Sequence, residues 1–447
     1  MTPYWCEFAW LGGERPRVAR DVLIDVEDGR IAAVTPGVSE HPPGAQRRRG
    51  LTLPGMANVH SHAFHRALRG RTHRERGTFW TWRERMYAAA ARLDPDTYLE
   101  LATAVYTEMA LSGITAVGEF HYLHHGPDGT PYDDPNAMGL ALIEAARRAG
   151  IRLTLLDTCY LTGGFDEPLD GPQRRFGDAD ADTWAARVDR LADGPDLRIG
   201  VAAHSVRAVP DGQLPTVAAF AAARSAPLHT HLSEQVAENQ ACRAAYGKTP
   251  TQVFADAGVL GPRATAVHAT HLTAEDIELV GATGTGVCLC PTTERDLADG
   301  IGPARELADA GAPLSLGTDS HAVIDPFEEA RGVELDERLR SHERGRFTVA
   351  ELLTAATAAG HAALGWDDGG RIAPGARADL VTVGLNGPRL AGWDPEAVDA
   401  AVLFAATGPD VTHVVSGGRA IVTDRRHVEL DDVTGALQQT ITKLMTD

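Results

Sequence analysis

Eight short apolar segments between residues 57 and 320 alternate with longer stretches rich in Ala, Leu, Arg and Glu. They are ANVHSH (57–62), ITAVGEFHY (114–122), RLTLLDTCY (152–160), RIGVAAHSV (198–206), PLHTHLSE (227–234), TAVHATHL (265–272), GVCLCPT (286–292) and PLSLGTDS (313–320). Nearly continuous apolar character is typical of parallel strands buried on both faces. Helical patterns such as that of residues 137–150 follow most of them. The pattern predicts an α/β fold, a TIM-like (β/α)8 barrel, with an open doubly wound sheet as the alternative.

The two ends of the chain have a different pattern. Residues 19–35 alternate apolar and polar positions around an Asp-Gly pair, which predicts a β-hairpin. Residues 378–385 and 411–428 predict further short strands, the latter around a Gly-Gly turn. We therefore expect a small β-sandwich domain from residues 1–53 and 371–428, a barrel from 54–370 and a C-terminal helix in 429–447.

Composition narrows the possible partners and compartments. The chain has 447 residues, 43% of them hydrophobic, and a formal net charge of −19, which argues against nucleic acid or an anionic membrane as a partner. Its five cysteines are scattered, which fits a reducing cytosol rather than a disulfide framework. No apolar run approaches the ~20 residues of a membrane helix, and the first residues lack a signal-peptide pattern. We expect a cytoplasmic protein.

Polar side chains gather at or just after the carboxyl ends of the predicted strands. In a barrel these ends meet on one face, where active sites are built. A single histidine at a strand end is more often structural, but such residues end most of the eight segments. They are His60, His62, Glu119, His121, Tyr122, His204, His231, Glu234, His268, His271, Asp319 and His321.

The spacing of these histidines suggests a metal site. Residues i and i+2 of a strand point the same way, so His60 and His62 can both face the barrel axis, whereas His65 lies beyond the strand. Further candidate ligands are His229, His231, Glu234 and Asp319. Three imidazoles and one carboxylate, with room for water, are typical of a catalytic rather than a closed structural site.

The positions of the cysteines and lysines indicate whether the site holds one metal ion or two. Cys288 and Cys290 are an alternative metal motif, but no second cysteine pair accompanies them, so we interpret them as strand residues. Bridged two-metal sites on such barrels usually need a carboxylated lysine from a middle strand. Lysine occurs only at Lys248 and Lys443, outside the predicted strands. A single metal is favoured.

The strings PGMANVHSH, HTHLSE, VHATHL and GTDS resemble the mononuclear, deaminase-type branch of the amidohydrolase superfamily, and the resemblance covers nearly the whole chain. It implies a barrel of the amidohydrolase type. Its implied metal ligands are His60, His62, His231 and Asp319. Its implied catalytic residues are Glu234 and His268, which handle protons and polarise the bond, with Asp319 taking the proton of the attacking water. His229 matches no ligand, and the family pattern favours His268 over His271.

Four further strings resemble the formimidoylglutamate deiminase family: FWTWRERMY (79–87), EFHYLHH (119–125), HSVRAVP (204–210) and CPTTERDLADG (290–300). The resemblance implies hydrolysis of N-formimidoyl-L-glutamate to N-formyl-L-glutamate and ammonia in histidine degradation. It implies one divalent metal, Zn²⁺ by default with Fe²⁺ as the alternative. Barrels of this family are often dimers, so we expect a homodimer.

The substrate of that family has two carboxylates, which arginine binds through a planar fork. The resemblance places Arg83, Arg207, Tyr122 and His204 at substrate-binding positions. At His65 the family pattern has glutamine, in HSHAFQRA. A histidine there can still donate a hydrogen bond to a carboxylate, or it can mark a shifted substrate.

Three other functions remain open. A related deaminase could act on a purine, pterin or other cyclic amidine, which would need aromatic stacking instead of two cationic groups. Hydrolysis of an amide bond is possible on the same site. A barrel that binds without catalysing should have lost some of the ligand and proton-handling residues, and all of them are present.

Overall fold

The computed structural model describes residues 2–13, 16–73, 77 and 79–445. Residues 446 and 447 of the predicted C-terminal segment lie outside this range, as do residues 1, 14 and 15 of the predicted small domain and 74–76 and 78 of the predicted barrel. No helix in the described part of the chain has the length and apolar character needed to span a bilayer.

Within the described residues, sixteen strands form two separate sheets. In chain order they are β1 (Thr2–Leu11), β2 (Arg17–Glu27), β3 (Arg30–Thr35), β4 (Gln46–Pro54), β5 (Met56–Ser61), β6 (Ile114–His121), β7 (Arg152–Cys159), β8 (Leu197–Ala203), β9 (Leu228–Leu232), β10 (Ala264–His268), β11 (Gly286–Leu289), β12 (Leu314–Leu316), β13 (Leu380–Val383), β14 (Val411–Ser416), β15 (Arg419–Thr423) and β16 (Arg426–His427).

Strands β5–β12 form the barrel, each hydrogen-bonded in parallel to the next. Each of them overlaps one of the eight apolar segments of the sequence. The barrel closes where the chain after β12 meets β5: Ser61 and Asp319 form a parallel bridge, and the Asp319 N–H donates to the His60 carbonyl at 2.9 Å. The predicted (β/α)8 barrel is confirmed, and its closure brings the first and last strand ends together.

Fifteen α-helices lie among the described residues, most of them between barrel strands. They are α1 (Phe79–Ala91), α2 (Pro95–Leu111), α3 (Ala137–Ala149), α4 (Ala181–Val188), α5 (Leu214–Arg224), α6 (Val236–Tyr246), α7 (Pro250–Asp256), α8 (Ala274–Thr283), α9 (Pro291–Asp296), α10 (Ala304–Asp309), α11 (Pro326–Ser341), α12 (Val349–Thr354), α13 (Gly360–Ala363), α14 (Val398–Ala405) and α15 (Val433–Met445). A turn of π-helix, Ala355–Ala359, joins α12 to α13. The C-terminal helix α15 packs on α2.

The second sheet is built from both chain ends in the order β16-β15-β14-β13-β4-β1-β2-β3. Strand β13 pairs antiparallel with β4, so that Leu380 lies opposite Pro54. The predicted turns are present: Asp28 and Gly29 have φ of 48° and 75°, as a two-residue hairpin of type I′ requires. Only Gly55 separates β4 from β5, so the chain passes directly from this sheet into the barrel. The predicted β domain from both chain ends is confirmed.

Candidate active site

A cavity opens at the carboxyl end of the barrel strands. The metal ligands, catalytic residues and substrate-binding residues that the resemblance implies all lie in or against it. The cavity is lined by His62, His65, Arg83, Tyr122, His204, Arg207, His231, Glu234, His268 and Asp319. His60 is fully buried beside it and contacts His231 and Asp319. The barrel therefore brings together side chains that are up to 259 positions apart in the sequence, the separation of His60 and Asp319.

Four of these side chains direct nitrogen and oxygen atoms to one point. Asp319 Oδ1 lies 3.3 Å from His60 Nε2 and 3.4 Å from His62 Nε2. His231 Nε2 lies 3.1 Å from His60 Nε2. The side chains come from β5 and the residue that follows it, from β9 and from the loop after β12. Such convergence of buried donors has the form of a metal site.

Hydrogen bonds to backbone carbonyls determine which ring nitrogen of His62 and of His231 carries no proton. His62 Nδ1 donates to the Phe120 carbonyl at 2.9 Å, and His231 Nδ1 donates to the His204 carbonyl at 3.0 Å. With the proton on Nδ1, each Nε2 presents a lone pair to the centre, as metal-bound imidazoles do. Burial lowers the pKa of His62 to about 3 and the pKa of His231 well below its ordinary value, so both rings are neutral.

This donor set fits a metal ion. His231 Nε2 carries no proton and lies 3.1 Å from His60 Nε2, so its lone pair is available to a cation bound beside the two rings. Burial alone would raise the pKa of Asp319, but the hydrogen bond from His60 and the nearby imidazoles of His60, His268 and His62 hold it below its ordinary value. Three neutral imidazoles and a carboxylate are ligands that Zn²⁺ accepts in catalytic sites.

Two proton-handling candidates lie next to these donors. His268 Nε2 is 3.7 Å from Asp319 Oδ2, and its Nδ1 is 3.4 Å from Glu294 Oε1. Burial opposes a charge on His268, but Glu294, Glu234 and Asp319 raise its pKa well above its ordinary value. Burial also raises the pKa of Glu234, although His268 and Arg207 act against the rise. The cavity thus holds an imidazole that retains its proton and a carboxyl group that ionises less readily than in water.

The side chains expected to contact substrate line the same cavity. Tyr122 and His65 are joined by a hydrogen bond of 2.9 Å between Tyr122 OH and His65 Nε2. Arg207 Nε donates to Glu238 at 2.6 Å. The guanidinium of Arg83 lies 5.6 Å from the centre of the Tyr87 ring, in cation–π range. His65 is thus part of the cavity wall, and its ring centre lies 4.5 Å from that of His62.

Sequence reasoning missed the apolar part of the wall. The residues not predicted are Trp82, Met86, Tyr87, Tyr160, Phe176 and Leu297. Trp82, Met86, Tyr87 and Leu297 lie inside strings that were already singled out, and Tyr160 ends the third apolar segment, so a signal existed for them. Phe176 follows a 3-10 turn between β7 and α4 and had no such signal.

The backbone at the cavity is unusual. Five non-glycine residues at the ends of barrel strands adopt positive φ: Ser233 (50°), His268 (68°), Ala269 (51°), Asp319 (40°) and His321 (57°). Side chains with a Cβ seldom occupy this region, and such residues cluster at functional sites whose surroundings hold them in place. No sequence pattern predicted these conformations.

A buried hydrogen-bond network holds the end of β5. Glu119 accepts from the Ser61 hydroxyl at 2.6 Å and from the Ala63 N–H at 2.7 Å. Ser61 also lies 3.1 Å from His321 Nε2. Burial raises the pKa of Glu119 to about 7, against the effect of these hydrogen bonds. The strand-end residues Glu119 and His321 therefore support the segment that carries His60 and His62.

Several candidate ligands lie outside the cavity. His229 Nε2 donates to the Ala363 carbonyl at 3.0 Å, and His271 Nε2 donates to the Asp299 carbonyl at 2.8 Å. Cys290 lies near His268 and Glu294, whereas Cys288 is not part of that group.

A second buried histidine group, His121 and His124 with Asp157, lies behind the cavity. Both oxygens of Asp157 already accept from Arg187 at 2.9 Å. This group is therefore an ion-pair network and not an open metal site.

Comparison with known proteins agrees with this geometry. Residues 51–421 match the amidohydrolase family. The chain is 37% identical to formimidoylglutamate deiminase from Pseudomonas aeruginosa over 442 residues, covering 96% of each chain. It is 34% identical to 8-oxoguanine deaminase of the same organism, covering 89% of each chain. A crystal structure of an adenosine deaminase from Xanthomonas campestris with bound zinc superposes with a TM-score of 0.87 at 25% identity, covering 100% of this chain and 99% of the other.

Proposed function

Because this chain belongs to the amidohydrolase family, and is a hydrolase that acts on C–N bonds, we propose that it converts N-formimidoyl-L-glutamate to N-formyl-L-glutamate and ammonia, as a step of histidine degradation. Hydrolytic deamination is common to the relatives. The observation that carries the choice of substrate is the presence of two arginines, Arg83 and Arg207, in one cavity with the metal donors.

The two arginines suit a substrate with two carboxylates. A guanidinium group pairs with a carboxylate through two parallel N–H···O bonds. Tyr122 and His204 add hydrogen-bonding groups to the same wall. His65 stands where the resembling family has glutamine, and its bond to Tyr122 supports a role in orienting that hydroxyl group towards substrate.

A second candidate is deamination of a cyclic amidine, the reaction type of the 8-oxoguanine deaminase relative. The aromatic side chains Trp82, Tyr87, Tyr160 and Phe176 favour it, because a flat ring can stack on them. A neutral ring has no carboxylate that could pair with the guanidinium groups of Arg83 and Arg207. The arginines therefore favour the acyclic substrate.

For the metal we propose one Zn²⁺ held by His60, His62, His231 and Asp319. The neutral imidazoles, the Nδ1 hydrogen bonds to backbone carbonyls and the ionised Asp319 support this set. A divalent ion bound there would supply Lewis-acid activation of water at neutral pH. A single ion is consistent with the lack of lysine in the barrel strands.

The protein's own groups then divide the proton transfers. Asp319 accepts the proton of the attacking water through the carboxylate oxygen that faces His268. His268, protonated on both nitrogens, donates from Nε2 to the attacking oxygen and orients it towards the formimidoyl carbon. Glu234, whose pKa is raised, gives a proton to the imine nitrogen as the oxygen adds. The proton taken up by Asp319 then passes to the same nitrogen, which leaves as ammonia, while the hydroxyl proton of the tetrahedral intermediate returns to Glu234.

The test is ammonia release by the purified, Zn-loaded protein from N-formimidoyl-L-glutamate, with 8-oxoguanine and guanine as competing substrates. We expect release from the first compound. In Arg83→Met and Arg207→Met that activity should fall at least tenfold, whereas Arg243→Met, on an exposed position of α6, should leave it unchanged. Release from a purine alone would refute the proposed substrate and support the second candidate.

A further inference from the structure

Arg207 is not free to turn in the cavity. Its Nε–H donates to Glu238 Oε2 at 2.6 Å, so one edge of the guanidinium is already occupied. The same side chain is 24% exposed, and it lines the cavity. The two terminal nitrogens are therefore the part of Arg207 that a ligand can reach, and a carboxylate must approach the guanidinium end-on.

Glu238 makes a second contact with its other oxygen. Oε1 accepts from the Ser233 backbone N–H at 2.9 Å. Ser233 has a φ of 50° and directly precedes Glu234, the proposed proton donor. Glu238 lies in the first turn of α6, and its side chain is 1% exposed. One buried carboxylate therefore binds the arginine and the backbone that carries Glu234.

We propose that Glu238 is a positioning residue that sets Arg207 end-on to a substrate carboxylate and, through Ser233, holds Glu234 in place for proton transfer. The inference rests on the proposed function in so far as Arg207 binds a carboxylate of the substrate. Holding a long side chain in one conformation before binding removes the entropy that it would otherwise lose on binding. Neither the motifs nor the similar proteins assign a role to Glu238.

The contacts of Arg207 extend from Glu238 to Glu234 itself. Arg207 Nη2 lies 3.9 Å from Glu234 Oε2, so the arginine has a carboxyl group on each side. A substrate carboxylate at the terminal nitrogens competes with Glu234 for Arg207 but not with Glu238. Substrate binding would then release Glu234 from the arginine while Glu238 keeps both groups in position.

The kinetic test uses Glu238→Gln in the full-length, metal-loaded enzyme. The amide has one acceptor oxygen and cannot satisfy both N–H donors. We expect KM to rise and kcat to fall, each by about tenfold, as for the loss of a hydrogen bond to a charged group. In the Arg207→Met background Glu238→Gln should no longer raise KM, but it should still lower kcat. Glu278→Gln, at an exposed site on α8, is the matched control and should change neither constant.

Two results would overturn the inference. One is a Glu238→Gln enzyme with KM and kcat both within twofold of wild type. The other is the same rise in KM with and without Arg207, which would mean that Glu238 acts on binding by another route. Melting temperature and metal content show whether each variant is folded. Glu238→Asp, which keeps the charge on a shorter side chain, should recover part of the loss.

A binding measurement separates this inference from the proposed function. Glutarate has two carboxylates and cannot be hydrolysed, and calorimetry gives its affinity for the metal-loaded protein. We expect about tenfold weaker binding in Glu238→Gln. If the wild type binds glutarate in this Glu238-dependent way but does not hydrolyse N-formimidoyl-L-glutamate, the proposed function fails and the inference stands. If the wild type does not bind glutarate, or if Glu238→Gln binds it as tightly, the inference fails even in an active deiminase.

Discussion

Replacing Glu234 with glutamine should remove most of the activity and at the same time stabilise the protein. The substitution keeps the shape of the side chain but removes its acid. Glu234 lines the cavity and is not one of the proposed metal ligands, so metal content should not change. Its pKa is raised by burial, which means that the folded protein disfavours its charge relative to water. A neutral amide avoids the free-energy cost of burying that charge.

The two effects have different magnitudes. Loss of a positioned proton donor typically lowers kcat by about 10²–10⁴-fold, or about 3–5 kcal/mol in the barrier. For stability we expect a gain of about 0.5–2 kcal/mol, as for other single stabilising changes. With about 2.1 cal/mol/K of unfolding entropy per residue, a chain of 447 residues shifts its Tm by about 1 °C per kcal/mol. Burial raises the pKa of Asp299 to about 9, and the neighbouring carboxyl group of Glu234 adds to this rise. Asp299 should therefore lose its proton more readily in Glu234→Gln.

The sign of the pH dependence follows from the raised pKa of Glu234. Above the unfolded-state pKa of about 4.3 the unfolded chain loses this proton before the folded protein does, so stability falls as pH rises towards the folded-state pKa. The gain from Glu234→Gln should therefore be larger at pH 8 than at pH 4.

The assays are ammonia release by the metal-loaded enzyme, metal analysis, and calorimetric unfolding of the metal-free protein, in which metal binding does not contribute to Tm. Activity within tenfold of wild type with the metal retained would refute the proton-transfer role. A lower Tm at pH 8 would refute the electrostatic argument.

Three further predictions concern other parts of the site and its support. His60→Ala should lose bound metal and activity together, and metal analysis showing full occupancy would contradict its role as a ligand. His65→Gln should keep kcat/KM within about threefold, because an amide can replace the hydrogen bond to Tyr122; steady-state kinetics test this, and a loss beyond tenfold would show that the imidazole itself is needed. Arg187→Met should destabilise the protein by about 3–5 kcal/mol, because it leaves the carboxylates of Asp157 and Asp178 buried without their partner. Denaturant unfolding should show partial recovery when both aspartates are changed to Asn, and the absence of any recovery would mean that the loss comes from packing.

The barrel was predictable because each of its strands is a separate apolar segment with a polar end. The segment PLSLGTDS shows the limit of this reasoning: only Leu314–Leu316 form the eighth strand, and Asp319 reaches β5 through the loop that follows. The β domain was predictable from its turns, since Asp28-Gly29 and Gly417-Gly418 all adopt the positive φ that such short hairpin turns need. The order of the strands in that sheet, with β4 next to β13, depends on pairing between distant segments, and no local pattern specifies it.

In the site, the types of residue could be predicted from the sequence, but the contacts between their side chains could not. His60, His62, His231 and Asp319 follow from spacing and resemblance, and the structure brings them together. Glu238 is a glutamate on a helix, and nothing in the sequence distinguishes it from the many exposed glutamates. Glu294 lies in the string CPTTERDLADG, but the string gives it no role. Their roles depend on contacts across the barrel, with Arg207 and His268, that only the folded chain creates. The metal roles and the homodimer remain predictions.

The pairing of β13 with β4 has a consequence for synthesis of the chain on the ribosome. Leu380 pairs with Pro54, so 326 residues must be added after β4 before its partner strand exists. At about 5–20 residues per second this takes roughly 16–65 seconds. During that time β1 covers one edge of β4 and the other edge is open to pairing with a neighbouring nascent chain. A chain terminated before residue 380 would keep that edge exposed permanently, so premature truncation should lead to aggregation and not to a shorter soluble enzyme.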